Sequence, residues 1–158
     1  MQTETMKSLL SLRHGPDTGG GDEHAILSEG GVRIVNQTVL EIQDWINGKT
    51  LVLSSPIVRA KQTADIIAAA LSADLVLLDS LKNDRAHMGR GCKTQILLEA
   101  GKNGGYKNVI VVTHYQLVNG IILAFKEDFP QIDFDRSKEP PKGHGFIVDI
   151  ETGNVEII

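Results

Sequence analysis

The stretch Leu12-Arg13-His14-Gly15, near the beginning of the chain, combines residue types that can act on an anion. It closes the apolar run 8–12, which predicts a buried strand, and a glycine-rich segment follows it. In an open α/β sheet, ligands bind beyond the carboxyl ends of the strands. We therefore expect Arg13 to supply positive charge there and His14 to supply a nucleophile. Gly15, without a side chain, would let the backbone come close to a ligand.

Two further residues of the same types occupy similar positions later in the chain. Arg59 lies one to two helical turns beyond the apolar run 50–53, and His114 directly follows the run 108–113. A phosphoryl group in transfer spreads negative charge over its oxygens, so it needs dispersed positive charge. Two guanidinium groups supply that charge with fixed donors that match phosphate oxygens. Together with His14, these residues predict a phosphoryl-transfer site.

Three motifs that contain these residues occur in a fixed order, namely Leu-Arg-His-Gly, Ser-Ser-Pro-x-x-Arg-Ala-x-Gln-Thr-Ala and Val-Val-Thr-His. In this respect the sequence resembles the histidine phosphatase superfamily, also called phosphoglycerate-mutase-like. The resemblance implies that His14 becomes phosphorylated and that a backbone carbonyl, often that of Gly15, fixes its ring. It implies that His114 donates to the same phosphate, most usefully as a cation. The amide of Tyr115, at a helix start, could add a further donor.

The sequence leaves the general acid for the leaving group open. Family members often carry a Glu or Asp shortly after the third strand, in a Leu-x-Glu type segment that a glycine follows. Strict spacing from Leu81 places Asn83 at this position, and Asp84 comes one residue later. We take Asp84 as the candidate acid and Asp79 as the reserve. If Asp84 instead pairs with a neighbouring cation on a solvated loop, the pair contributes little.

Two functions fit these patterns. The first is a metal-independent phosphatase that hydrolyses phosphate monoesters or phosphohistidine through a phosphohistidine intermediate on His14. The alternative is a non-catalytic phosphate- or phosphoprotein-binding module that keeps the pocket without the acid. The chain is similar in length to the small phosphohistidine phosphatases of the superfamily, and mutase-type members carry a longer insertion than the segment 79–91. We expect a phosphorylated small molecule or phosphoprotein as the partner.

Composition narrows the class of protein. A chain of 158 residues that is 41% hydrophobic predicts one domain over 1–158, which the resemblance implies is histidine-phosphatase-like. A net charge of −4 argues against nucleic-acid binding. One cysteine and the lack of a His-x-x-x-His pair or an acidic ligand cluster predict neither a disulfide nor a metal site, and no cofactor is expected. No apolar run approaches the ~20 residues of a membrane helix, so we expect no membrane partner and a cytoplasmic protein.

Hydrophobic periodicity predicts the elements that position these residues. Ser28 is the expected N-cap of a helix whose apolar face includes Val32, Val35, Val39, Ile42 and Ile46. The strands are predicted at 8–12, 50–53, 75–78, 108–113, 145–150 and 155–158, and the later helices at 57–71, 93–101 and 115–125. The polar segment 126–142 is predicted to be a surface excursion. This alternation predicts a three-layer α/β/α fold with a mainly parallel, doubly wound sheet and a C-terminal antiparallel edge hairpin.

Overall fold

The computed structural model describes residues 6–19, 24–83, 85–135 and 138–158. Within these ranges the chain forms six strands and four α-helices in an alternating order. In chain order the elements are β1 (Ser8–Arg13), α1 (Glu29–Trp45), β2 (Thr50–Ser54), α2 (Val58–Leu71), β3 (Asp74–Leu77), α3 (Gly89–Ala100), β4 (Asn108–Thr113), α4 (Tyr115–Asp128), β5 (Gly145–Asp149) and β6 (Val155–Ile157). Two short 3₁₀ turns, Asp79–Lys82 and Ala86–Met88, lie between β3 and α3.

The six strands form one sheet in the order β3-β2-β4-β1-β5-β6. Strands β3, β2, β4 and β1 are parallel, whereas β5 is antiparallel to β1 and β6 is antiparallel to β5. In the register of β1 with β4, Arg13 is opposite Thr113. The next residue of each strand, His14 and His114, therefore leaves the sheet side by side at its carboxyl edge. The predicted mainly parallel sheet with a terminal edge hairpin is confirmed.

Helices cover both faces of the sheet because successive strand residues point to opposite sides. Leu10 packs in a core with Val39 of α1 and Ile67 of α2. Its neighbour Leu9 packs in a second core with Ile121 of α4 and, from α3, residues that include Ile96. The three-layer arrangement predicted from the sequence is therefore confirmed, with α1 and α2 on one face and α3 and α4 on the other.

Two helices show where local sequence patterns succeed and fail. The Ser28 hydroxyl accepts a hydrogen bond from the Gly31 amide at 2.9 Å, so the predicted N-cap of α1 is confirmed. Val32 is wrongly predicted to be buried, since its side chain is 38% exposed. Helix α3 begins at Gly89, four residues before the predicted start at Lys93. A Cβ atom at Gly89 would lie 2.2 Å from a carbonyl oxygen of α4. Gly89 is therefore unfavourable for a helix in the sequence pattern, but its lack of a side chain permits close packing against α4.

The segment 126–142 is only partly the surface excursion predicted for it. Helix α4 continues to Asp128, and Ile132 and Phe134 are buried in the core. The end of the segment returns to β1, because the Gly143 amide donates to the carbonyl of Arg13 at 3.1 Å and to that of His14 at 2.8 Å. Backbone hydrogen bonds from a distant segment therefore brace the end of the first strand.

Candidate active site

An open cavity of about 270 Å³ lies where β1 and β4 end at the carboxyl edge of the sheet. The structure brings together all four side chains that the sequence motifs single out, along with four more. The lining residues are Arg13, His14, Asp17, Arg59, Lys82, His114, Tyr115 and Lys142. Two arginines and two lysines outnumber the one carboxylate among them, so the cavity favours an anionic ligand.

The His14 ring is held in one tautomer. Its Nδ1 lies 2.8 Å from the carbonyl oxygen of Gly15, which can only accept, so Nδ1 carries the proton. Its Nε2 accepts a hydrogen bond from Nε of Arg59 at 3.2 Å. Burial lowers the pKa of His14 to about 4, with Arg59 and Arg13 adding to the decrease and the Gly15 carbonyl and Asp17 opposing it. At neutral pH the ring is therefore uncharged, with a lone pair on Nε2 directed toward a cation.

Gly15 orients His14 through its carbonyl, as the resemblance implies, and it also ties two elements together. Its amide donates to Oγ1 of Thr63 at 2.9 Å, and that hydroxyl donates to the carbonyl of Arg59 at 2.8 Å. A Cβ atom at Gly15 would lie 2.6 Å from Cγ2 of Val35. Gly15 is not among the cavity-lining residues named above, and the close approach of its backbone to a ligand stays a prediction. In the structure, Gly15 packs against α1, orients His14 and ties the end of β1 to α2.

Arg13 is held from two sides. Its Nη1 donates to the carbonyl of Pro140 at 3.3 Å, and its guanidinium lies over the Tyr115 ring, 5.0 Å from the ring centroid. Its Nε is buried and has no hydrogen-bond partner among the described residues. A buried donor without a partner is costly, and an anion in the cavity would satisfy it.

His114 lies beside His14, with 5.2 Å between the ring centroids. Its Nε2 is 2.8 Å from Oγ of Ser55, and its buried Nδ1 has no hydrogen-bond partner within the described part of the chain. Burial lowers the pKa of His114 to about 3, with smaller decreases from His14, Arg59 and Arg13. The ring is therefore neutral in the protein without ligand, and a neutral imidazole still donates one N–H. That His114 donates to a bound phosphate stays a prediction.

Tyr115 is the first residue of α4, and His114 is its N-cap. The amides of a helix's first turn have no partner within the helix, so the Tyr115 amide stays a predicted anion donor. The Tyr115 hydroxyl hydrogen-bonds to Glu139, which raises the pKa of the tyrosine.

The candidate acids have different outcomes. Asp84 lies outside the described residues, so its role stays a prediction. Asp79 is not among the residues that line the cavity; its side chain is 88% exposed and lies 3.8 Å from Nζ of Lys82, which does line it. Among the described residues, the carboxylate that lines the cavity is Asp17, which the sequence interpretation missed together with Lys82 and Lys142. The position of Asp17 three residues after His14 was an available signal, whereas Lys142 has no local signal.

The remaining histidines do not line this cavity. His24 is exposed and lines a neighbouring cavity of about 270 Å³ that shares Lys82 with it, and His87 is exposed and lines an open cavity of about 680 Å³. His144 is partly buried, with Nδ1 3.2 Å from the carbonyl of Ile158. Among the described residues, no three His, Cys, Asp or Glu side chains are grouped so that they could hold a metal ion. In the same ranges, no helix has the length and apolar character to cross a membrane.

Several solved structures are similar to this one over most of the chain. The mycobacterial glucosyl-3-phosphoglycerate phosphatase is similar over 96% of this chain and 96% of its own, with a TM-score of 0.68 and 12% identity. A phosphoserine phosphatase variant from Entamoeba histolytica, in complex with phosphoserine, is similar over 96% of this chain and 95% of its own, with a TM-score of 0.63 and 16% identity. The protein histidine phosphatase SixA, complexed with tungstate, is similar over 96% of this chain and 94% of its own, with a TM-score of 0.60 and 21% identity.

The chain therefore has the histidine phosphatase fold over almost its whole length. The resemblance that the sequence motifs indicate is confirmed at the level of the fold. No family model matches the sequence, and no curated protein matches it in the sequence search.

Proposed function

We propose that this protein is a phosphatase of the histidine type, in which His14 is the nucleophile. The observation that carries the proposal is the state of the His14 ring. Its Nδ1–H donates a hydrogen bond to the Gly15 carbonyl, which fixes the tautomer. The lone pair of Nε2 faces Arg59 inside a cavity with an excess of positive charge. A nucleophile that must attack a phosphorus atom needs this combination of a neutral ring, a fixed tautomer and cations that hold the anion.

The proposed reaction has two steps. The lone pair on Nε2 of His14 forms a bond to phosphorus, while the bond from phosphorus to the leaving group breaks and its electron pair goes to the leaving atom. Water then attacks the phosphorus atom, and the bond from phosphorus to Nε2 breaks with its electron pair returning to Nε2. Phosphate leaves with the oxygen of water, a proton of that water passes to solvent, and His14 is restored. Arg13 and Arg59 would neutralise the charge on the phosphoryl oxygens in both steps. Because these two arginines supply that charge, we expect turnover to continue in the presence of a metal chelator.

Ser55 would determine which ring nitrogen of His114 carries the proton in this reaction. The Ser55 hydroxyl oxygen accepts the amide proton of Ile57 at 3.2 Å, so its own proton can be donated to Nε2 of His114. His114 would then carry its proton on Nδ1, the buried atom without a partner among the described residues. A phosphoryl oxygen in the cavity would accept a hydrogen bond from this Nδ1–H. His114 could therefore stabilise the transition state while its ring remains neutral.

The substrate class we propose is phosphohistidine or another phosphoryl compound with a good leaving group. Asp17, the carboxylate among the described cavity residues, is bonded to Lys142 and lies near Nδ1 of His14, on the side away from the nucleophilic atom. It is therefore unsuited to protonate a leaving group. A weakly basic imidazole leaves with less need for such a proton than an alkoxide does. The structural similarity to SixA, described as a protein histidine phosphatase, supports the same class.

The proposal is tested with 4-nitrophenyl phosphate in the presence of a chelator. We expect turnover by the unaltered protein, its loss in His14→Ala and its retention in the control His87→Ala, whose side chain is exposed outside the catalytic cavity. Unchanged turnover in His14→Ala would contradict the assignment. Phosphate binding without hydrolysis of the aryl phosphate, phosphohistidine or an acyl phosphate would favour the non-catalytic binding module instead.

A further inference from the structure

Asp17 places a carboxylate in the catalytic cavity that the reaction proposed above does not use. Its side chain is 1% exposed and lines the cavity together with His14. A buried ionised carboxylate is destabilising unless both of its oxygens have strong partners. The contacts of Asp17 therefore indicate whether its negative charge is built into the site.

Both oxygens of Asp17 have such partners. Oδ1 accepts the amide proton of Gly19 at 3.1 Å, and Oδ2 accepts a proton from Nζ of Lys142 at 3.0 Å. The backbone of Asp17 is also paired with Leu27 in an isolated antiparallel bridge. Burial raises the pKa of Asp17, but the bonds from Lys142 and Gly19 outweigh burial and hold the pKa below its ordinary value. Asp17 is therefore a fixed negative charge at neutral pH.

The fold also fixes the chain at Lys142. The next residue, Gly143, has a φ of +87°, and a Cβ atom there would lie 2.7 Å from Cγ2 of Ile34. Its amide donates to the carbonyls of Arg13 and His14, and its own carbonyl accepts the Thr38 hydroxyl proton at 2.6 Å. A tight turn that only glycine adopts readily thus holds Lys142 against the cavity.

The charge of Asp17 acts at the proton-bearing side of the His14 ring. Oδ2 of Asp17 is 3.9 Å from Nδ1 of His14, too far for a hydrogen bond but close enough for a strong charge interaction. Arg13 at the end of β1 and Arg59 on α2 also act on His14 through their charges, and His114 after β4 lies beside the ring. Lys82 and Lys142 line the same cavity. Both arginines disfavour positive charge on His14, and Asp17 opposes them.

We propose that Asp17 is a positioning residue that stabilises the positive charge of the His14 ring once Nε2 carries the phosphoryl group, and that Lys142 tunes this effect. The proposal rests on the phosphohistidine chemistry proposed above. When the bond from Nε2 to phosphorus forms and the leaving group departs with its electron pair, the proton on Nδ1 stays. The ring therefore becomes cationic. Asp17 would offset the repulsion that this cation meets from Arg13 and Arg59.

The first test is an NMR titration of His14 in the protein without substrate. Asp17→Asn removes the negative charge, so we expect the titration midpoint of His14 to fall by about one pH unit. Lys142→Met removes the cation that partly cancels Asp17, so the midpoint should rise. Asp65→Asn, at an exposed ion pair with Lys61 on α2, is the matched control and should leave the midpoint unchanged. Shifts of Asp17→Asn and Lys142→Met in the same direction, or no shift in Asp17→Asn, would overturn the proposal.

The second test measures the formation of the phosphoenzyme with an aryl phosphate and an alkaline quench. We expect Asp17→Asn to form it about tenfold more slowly than the unaltered protein, consistent with a shift of one pH unit, and Asp65→Asn to form it at the unaltered rate. Formation by Asp17→Asn at the unaltered rate would overturn this role alone. Absence of a phosphoenzyme in the unaltered protein would overturn the proposed function and, with it, this role.

Discussion

Arg59 donates its Nε proton to Nε2 of His14 over 3.2 Å, although 45 positions separate the two residues. In the protein without ligand, this guanidinium therefore contacts the atom that would attack phosphorus. A phosphoryl group that enters the cavity must accept the Arg59 Nε–H in place of Nε2 of His14. Ligand binding and exposure of the nucleophilic lone pair are therefore coupled. The hydrogen bond from Gly15 to Thr63, and from Thr63 to the Arg59 carbonyl, keeps the two residues in this relationship.

The first prediction concerns the shape of this donor. Arg59→Lys keeps the charge but removes the planar fork, so we expect kcat/KM for an aryl phosphate to fall by roughly 10²–10³-fold. Arg33→Lys makes the same exchange at an exposed position of α1 and should leave kcat/KM unchanged. Equal activity of Arg59→Lys and the unaltered protein would show that charge alone is sufficient at this position.

The second prediction concerns the proton of His114. Ser55→Ala removes the hydroxyl that faces Nε2, so we expect kcat/KM to fall by roughly tenfold because the ring loses its fixed tautomer. Ser80→Ala removes a hydroxyl that bonds to Gln95 at the surface and serves as the control. The tautomer is measured from the ring ¹⁵N shifts of His114. An Nδ1–H tautomer that persists in Ser55→Ala would contradict the role of the serine.

The third prediction is a loss of stability below pH 6.5. The pKa of His14 is lowered to about 4 and that of His114 to about 3, so in this range the unfolded chain binds protons that the folded protein does not. Their contribution to stability is fully present above pH 6.5 and is lost as the pH falls toward these values. Without phosphate, we expect the free energy of unfolding to fall by up to about 1.4 kcal/mol per ring for each pH unit.

Urea unfolding between pH 7 and pH 5 measures this dependence. His114→Gln should have a shallower dependence on pH than the unaltered protein, because one of the two rings is gone. His87→Gln, at an exposed position, should keep the original slope. If the free energy of unfolding has the same slope against pH in His114→Gln and in the unaltered protein, the neutral state of His114 does not contribute to the pH dependence of stability.

The fourth prediction concerns the close packing of α4 against the 3₁₀ turn Ala86–Met88, which leads into α3. A Cβ atom at Gly120 would lie 2.2 Å from the carbonyl oxygen of Ala86, and the backbone cannot easily move away. We expect Gly120→Ala to lower the free energy of unfolding by roughly 2–4 kcal/mol. Gly91→Ala is the control, since no described atom beyond the neighbouring backbone of α3 lies within 4 Å of its Cβ position, and it should stabilise the protein by up to about 1 kcal/mol. Similar effects of the two variants would contradict the packing argument.

Much of the fold could be predicted because its signals are local. Strand β4 runs over Asn108–Thr113, as its apolar run predicts, and Ser28 caps α1 through a bond three residues away. The start of α3 could not be predicted because glycine disfavours a helix in isolation, and only contact with α4 makes it suitable there. Tertiary packing overrides the local preference at this point.

The same distinction applies to the candidate site. Arg13, His14, Arg59 and His114 lie in motifs, and the parallel register of β1 with β4 places the two histidines at one edge. Lys142 could not be predicted, because 125 positions separate it from Asp17, to which it bonds. The low pKa of His114 also could not be predicted from the sequence, because burial is the main cause of the decrease.

The measurement that tests the central claim most directly is detection of the phosphoryl group on His14 itself. The unaltered protein is mixed with an aryl phosphate, quenched in alkali, where phosphohistidine survives, and digested for mass spectrometry. The account predicts phosphate on the peptide that contains His14, attached through Nε2, and none on peptides that contain His87 or His114. Turnover of the substrate without a phosphorylated His14, or phosphate on His114 instead, would contradict it.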